Sequence, residues 1–230
     1  MRFGLKIKQM VKDVIMRQMV KDVIMRIDSF SPYPLYYPFI MSKDEKKFFN
    51  LNIKESKNYL EFGLGGSTLR AIQKSKANIY VVESCPEWIA YMRRYVVLRY
   101  YENKKLFIFP VNIGPTARFG YPKSDNPKNI FPLYSSNIFK EIDSKVKIDL
   151  ALVDGRFRVA CILKIILEFH KYSNFKVMVH DFWKRDEYHV VLKYLDIIDT
   201  VDTMGLFSIK KNVDLKLVEK DYHAYKFNPR

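Results

Sequence analysis

From Lys43 onward, short β-rich runs alternate with longer stretches of helical period, and this alternation limits the fold more than any other feature of the chain. The runs are Tyr59–Phe62, Ile79–Glu83, Leu106–Val111, Asp149–Asp154 and Phe175–Asp181, with helical stretches beginning near Ser67, Pro86, Arg158 and Asp186. Apolar strands, each followed by a helix, predict a parallel sheet covered on both faces. Two later runs, Leu206–Lys210 and Lys216–Lys226, lie close enough to pair as antiparallel edge strands. The expectation is an α/β fold: a doubly wound, Rossmann-like sheet of seven strands, mostly parallel with an antiparallel C-terminal strand, and helices on both faces. Gly114–Lys145 has no clear period and is expected to be an ordered loop, which in compact domains is usually functional.

Composition narrows the class. The chain has 230 residues, 48% of them hydrophobic, with 8 Gly and 10 Pro, which excludes disordered and collagen-like classes. Charged residues interrupt every apolar run before the ~18 residues that a membrane span needs. Cys85 and Cys161 fall in different predicted elements and do not make a disulfide scaffold, so a cytoplasmic, reducing location is expected. The basic N-terminus lacks a cleavage site, and no export signal is read there.

The predicted domain, residues 43–230, follows an N-terminal unit of residues 1–42. Residues 9–17 (QMVKDVIMR) recur letter for letter as residues 18–26. At ~100° per residue, nine residues turn the second copy about half-way round a helix, so Met10/Val14 and Met19/Val23 point to opposite sides. Such a helix wants cover on both sides, from its own domain and from a partner chain or a membrane surface. Pro32, Pro34 and Pro38 then mark an extended aromatic linker.

In open parallel sheets, ligands sit beyond the carboxyl ends of the strands. The first strand ends in Glu61, followed by Gly63, Gly65 and Gly66, with Ser67 and Thr68 opening a helix. Glycines permit a tight turn and close approach of a ligand, and Ser67 or Thr68 can cap the helix. The second strand ends in Glu83, twenty residues after Gly63, followed by Ser84. That spacing puts a carboxylate where it can accept hydrogen bonds from a ribose. A dinucleotide fingerprint would read G-x-G-x-x-G, and a phosphate-binding loop would need Gly-Lys-Ser/Thr; neither is present.

With these residues the chain resembles the class I S-adenosylmethionine-dependent methyltransferases, over roughly residues 56–226. Pro110–Pro122 and Asp149–Leu163 resemble small O-methyltransferases found with glycan and polysaccharide assembly enzymes in bacteria and some large algal viruses. The resemblance implies S-adenosylmethionine as cofactor. It places Gly63, Gly65 and Gly66 at the methionine end, Glu83 at the ribose and Asn112 near the adenine, with Glu61, Ser67, Thr68, Ser84 and Asp154 as further cofactor-binding candidates.

Asp154, ending the fourth strand, is expected to face the transferred methyl, or else to cap the following helix. His180 and Asp181, ending the fifth strand, would share its cleft as catalytic residues. An alcohol needs a general base or a Lewis acid before it attacks a methyl group. His180 is the first base expected, with Asp154 and Asp181 as alternatives; Asp154 and Asp181 would be the ligands if magnesium or manganese takes part. Arg156 and Arg158 would hold an anionic or sugar-phosphate acceptor. Tyr121 and His189 are further acceptor-binding candidates, and Trp88 and Trp183 candidate stacking surfaces.

The net charge is +15, with seven basic and two acidic residues in positions 1–26 alone. A basic field attracts acidic glycans, lipid-linked sugar phosphates, nucleic acid and anionic membranes alike. The leading expectation is O-methylation of a sugar hydroxyl on a glycan or its precursor. Its rivals are RNA methylation on the same fold and a catalytically silent scaffold in glycan assembly. The N-terminal helix would then serve a homo-oligomer, a glycosyltransferase partner or peripheral membrane contact.

Overall fold

The computed structural model describes residues 2–124 and 128–230, with the side chains of the first helix from Val14 onward. Among the described residues, seven strands form one sheet: β1 (Asn58–Phe62), β2 (Asn78–Glu83), β3 (Leu106–Pro110), β4 (Leu150–Val153), β5 (Lys176–Val179), β6 (Leu195–Val201) and β7 (Met204–Ile209). Their order is β3-β2-β1-β4-β5-β7-β6. Strands β1 to β5 run parallel, and β7 is antiparallel to both of its neighbours. Strand order reverses between β1 and β4, the point beyond whose carboxyl ends ligands bind in open parallel sheets.

Alternation along the strands sorts the core into two layers. Leu60, Phe62, Tyr80, Val82, Ala151 and Val153 face α8 (Arg158–Phe169) and α9 (Leu215–Tyr225). Tyr59, Ile79, Val81, Leu150, Leu152 and Met178 face α2 (Lys43–Lys54) and α3 (Gly66–Lys74). By the same alternation Glu61, Glu83, Asp154 and His180 belong to the second face, beneath α2 and α3. This parity gathers four chemically active side chains on one side of the sheet.

The long N-terminal helix α1 (Arg2–Asp28) leads into a linker that packs on the domain. The Tyr37 hydroxyl donates to Gln73 at 3.1 Å, and Gln73 donates to the Pro34 carbonyl at 2.6 Å. Gly66 makes room for this linker: a Cβ there would stand 2.2 Å from the Pro38 carbonyl and 2.7 Å from Phe39 Cα. Ser42 caps α2 in a reciprocal box with Glu45.

One expectation at the C-terminal end fails. Residues 216–226 form no strand; 216–225 lie in α9, whose Asp214 cap accepts from the amides of Lys216 and Leu217 and whose buried Val218 and Tyr222 lie four residues apart. The sixth strand is instead β6, which follows the helical stretch expected after Asp186, here the 3-10 helix Asp186–Lys193. It is an edge strand with most residues exposed, so it carries no in-out alternation to reveal it. The stretch expected to be a loop also contains α6 (Pro132–Ser136) and α7 (Ile138–Glu141), each too short to show a period. The remaining short helices are α4 (Pro86–Met92) and α5 (Val96–Tyr101).

Candidate active site

The turn after β1 is built around Gly63, whose φ is +107° and whose Cβ would stand 2.9 Å from the Gly155 backbone, so only glycine fits. Gly65 by contrast has open space around it, its nearest neighbour for a Cβ being Ser67 Oγ at 4.0 Å. Glu61, fully buried, accepts from the hydroxyls of Ser67 and Thr68, the latter at 2.8 Å, and Thr68 Oγ1 also accepts from the Gly65 amide at 3.0 Å. Burial, opposed by those two hydroxyls and reinforced by the charges of Asp154 and Glu83, pushes the Glu61 carboxyl up to about 8. Glu61, Ser67 and Thr68 thus brace the turn, and Gly66 seats the linker. Neither was legible as such in a glycine-rich motif.

At the end of β2, Glu83 accepts from the amides of Leu64 (3.1 Å), Ser84 (2.7 Å) and Cys85 (2.9 Å). Burial raises its pKa against those three bonds and the charge of Arg156. A carboxylate offers about four acceptor positions, so one stays open. Next to it, Ser84 Oγ and Arg156 Nε are both buried without a hydrogen-bond partner. Both side chains come within 4 Å of the position a Gly120 Cβ would take. The Arg156 guanidinium lies 4.2 Å from the Tyr121 ring centroid, and only 8% of the residue is exposed. Trp88 donates to the Leu64 carbonyl at 2.6 Å and so holds the glycine turn. Asn112 is exposed, its Oδ1 taken by the Gly114 amide at 2.9 Å, between buried Val111 and Ile113.

The ends of β4 and β5 carry a different kind of cluster. His180 Nδ1 lies 2.9 Å from Asp154 Oδ1, and its Nε2 lies 3.5 Å from Glu45 of α2. Burial works against a charge on His180, but the hydrogen bond and charge of Asp154, with the charge of Asp181, raise its pKa above the usual histidine range. Burial would raise the Asp154 pKa, but the His180 hydrogen bond and the charges of Arg158, His180 and Arg156 hold it below the usual carboxylate range. Both ring nitrogens face carboxylates, Asp154 at 2.9 Å and Glu45 at 3.5 Å, an arrangement that favours the charged form of the ring. Asp181, in a left-handed conformation at φ 57°, is a partly exposed carboxylate 3.5 Å from Arg158 and 3.9 Å from His180. Such strain is typical of functional turns.

Arg158 was expected to clamp an acceptor, but its guanidinium is spent within the protein. It donates to the carbonyls of Gly155 (3.0 Å), His180 (2.5 Å) and Asp154 (3.0 Å) and to the Asp154 carboxylate (3.1 Å), tying the two strand ends together. His189 packs against Phe182 and Trp183 and meets the Phe182 carbonyl at 3.1 Å, away from this cluster's carboxylates. Trp183 stacks in the same aromatic group, with its indole N–H buried and unpartnered.

Sequence reading missed three side chains. Glu45 is one; its capping box with Ser42 is visible in sequence, but its contact with His180 joins residues far apart in the chain. Tyr188 and Arg185 are the others: the buried Tyr188 hydroxyl has no partner, and Arg158 and Arg185 lie 5.7 and 5.8 Å from its ring.

Ligand atoms of Asp154, His180 and Asp181 lie within 4.8 Å of one another, a spacing that would admit a metal ion. Yet the Arg158 guanidinium already stands at 3.1 and 3.5 Å from the two carboxylates. A divalent ion would have to compete with this cation for both of them, which makes Asp154 and Asp181 poor ligands for magnesium or manganese.

No protein-family model and no curated protein matches the sequence. Solved structures do match. A methyltransferase-like protein from Silicibacter pomeroyi superposes with a TM-score of 0.70 at 23% identity, over 84% of this chain and 98% of that one. An SAH-bound methyltransferase from Podospora anserina gives 0.52 at 17% identity, over 74% and 80%. A candidate O-methyltransferase from Klebsiella pneumoniae gives 0.51 at 14% identity, over 83% and 90%. The chain shares the fold of these methyltransferases, the seven-stranded Rossmann-like sheet.

Proposed function

We propose that the protein is an S-adenosylmethionine-dependent O-methyltransferase acting on a sugar hydroxyl of a glycan or a glycan precursor. The observation that carries this reading is the cluster of buried polar groups at the end of β2. Glu83 keeps one acceptor position open, and Ser84 Oγ and Arg156 Nε are buried beside it without partners. Leaving such groups unsatisfied costs about 1–3 kcal/mol each, and ribose hydroxyls would satisfy acceptor and donors together. The resemblance of the glycine turn and the shared fold support the same cofactor.

When bound, S-adenosylmethionine supplies an electrophilic methyl group on a sulfonium. The protein's task is alignment and proton removal. Asp181 suits the base: it is the less engaged of the two carboxylates at the cluster and would take the proton of the acceptor hydroxyl as the new carbon–oxygen bond replaces the methyl–sulfur bond, with S-adenosylhomocysteine as the leaving group. Arg158 and His180 hold Asp154 and tie the strand ends together. Tyr121, partly exposed and stacked by the Arg156 guanidinium, offers an aromatic face suited to a sugar ring.

Calorimetric titration with S-adenosylhomocysteine, with NAD and ATP as controls, tests the cofactor. Binding of S-adenosylhomocysteine alone is expected; binding of NAD instead would assign the site to a dinucleotide enzyme. Methyl transfer to glycan acceptors that survives nuclease treatment is the expected activity, and a nuclease-sensitive product would move the acceptor to RNA.

A further inference from the structure

The second half of α1 is amphipathic although the whole helix is not. Met16, Met19, Val20, Val23, Ile24 and Ile27 recur at helical spacing and fall within an arc of about 140° at ~100° per residue. No charged residue of 14–28 shares that arc. All six are open, between 40% and 68% exposed, and Phe30 at 69% extends the stripe past the helix end. The other side of the helix is the docked one. Met25 is partly covered and Ser29 buried, and the Ser29 carbonyl accepts from the Val96 amide at 2.9 Å. The apolar stripe therefore faces away from the domain.

The charge on the helix chooses among occupants. Arg17, Lys21 and Arg26 lie outside the apolar arc, and residues 1–26 hold seven basic residues against two acidic. Two copies laid stripe to stripe would bring like-charged helices together, whereas an anionic bilayer accepts both the apolar stripe and the basic flanks. Among the described residues no helix is long and apolar enough to cross a membrane. We propose that α1 lies in the interface of an anionic membrane, with Met16 to Ile27 facing the acyl chains, and so holds the domain against a lipid surface. This inference stands independently of the reaction assigned to the domain.

The test is co-sedimentation of the full chain with large vesicles of phosphatidylcholine alone or of equal parts phosphatidylcholine and phosphatidylserine. Binding to the mixed vesicles is expected to exceed binding to the neutral ones roughly tenfold or more, since each basic residue near the surface contributes on the order of 1 kcal/mol. It should fall as salt is raised. Val20→Glu with Val23→Glu, both exposed positions, should abolish the binding while circular dichroism and S-adenosylhomocysteine binding stay unchanged. Failure to sediment, equal binding to both vesicles or unimpaired binding by the double variant would overturn the proposal. So would a dimer in light scattering that the double variant breaks while the native chain ignores lipid; the stripe would then belong to a second copy.

Discussion

The two halves of the site use the same residue types to opposite electrostatic ends. At the ends of β1 and β2, Glu61 and Glu83 are buried against neutral donors, two hydroxyls and three amides, and both carboxyls are shifted upward. At the ends of β4 and β5, Asp154 is held by Arg158 and His180, its pKa is shifted downward, and that of His180 is shifted upward. A carboxylate surrounded by neutral donors prefers a neutral partner with hydroxyls. One set among cations keeps its charge and organises others. The comparison separates a half whose carboxyls are held by neutral donors from a half organised by cations.

The largest effect expected on this contrast comes from Arg158→Ala. Removing one partner of a buried ionic cluster costs about 3–5 kcal/mol, and here the lower end applies because Asp154 is partly exposed. Denaturant unfolding measures it, and a loss under 1 kcal/mol would mean that the strand ends do not depend on this cation. Glu83→Ala comes next: S-adenosylhomocysteine affinity should fall by about 2–3 kcal/mol, roughly 30- to 150-fold, and the amides of Leu64, Ser84 and Cys85 left without their acceptor should lower the unfolding midpoint as well. Unchanged affinity would remove the ribose assignment.

Asp154→Asn sharpens the acid–base side. In the native chain His180 should titrate above its unfolded value of about 6.5. Its contribution to stability is then complete below that value and is lost as pH rises through the folded pKa. Without the Asp154 charge, burial dominates and the His180 pKa should drop, as NMR titration of the ring would report. Glu61 has the converse sign. The folded state keeps its proton up to about 8 while the unfolded chain releases it near 4.3, so stability declines with rising pH across that window. Glu61→Gln should flatten that decline, leaving the variant close to the native chain in acid and more stable at pH 9. The smallest effect expected is that of EDTA, which should leave turnover intact because Arg158 stands where a metal would bind; loss restored by magnesium would contradict that placement.

The first five strands were legible because each is apolar and ends in a glycine, an acid or a turn. Strand β6 was not, since its exposed edge hides the alternation, and α9 was read as a strand although Asp214 and the spacing of Val218 and Tyr222 marked a helix. In the site, Glu61, Glu83, Asp154, His180 and Asp181 were all found from strand ends. What each one does was not, because that depends on long-range partners. The contact of His180 with Glu45 joins residues far apart in the chain, and Arg158 reads as a clamp until its donors are counted against the carbonyls of Gly155, His180 and Asp154.

The division between the two halves is tested most directly by measuring S-adenosylhomocysteine binding and methyl transfer in Glu83→Ala and Asp181→Asn in parallel. The account predicts that Glu83→Ala loses binding, while Asp181→Asn binds as the native chain does but turns over at least about a hundredfold more slowly. Native turnover by Asp181→Asn, or native binding by Glu83→Ala, would contradict it.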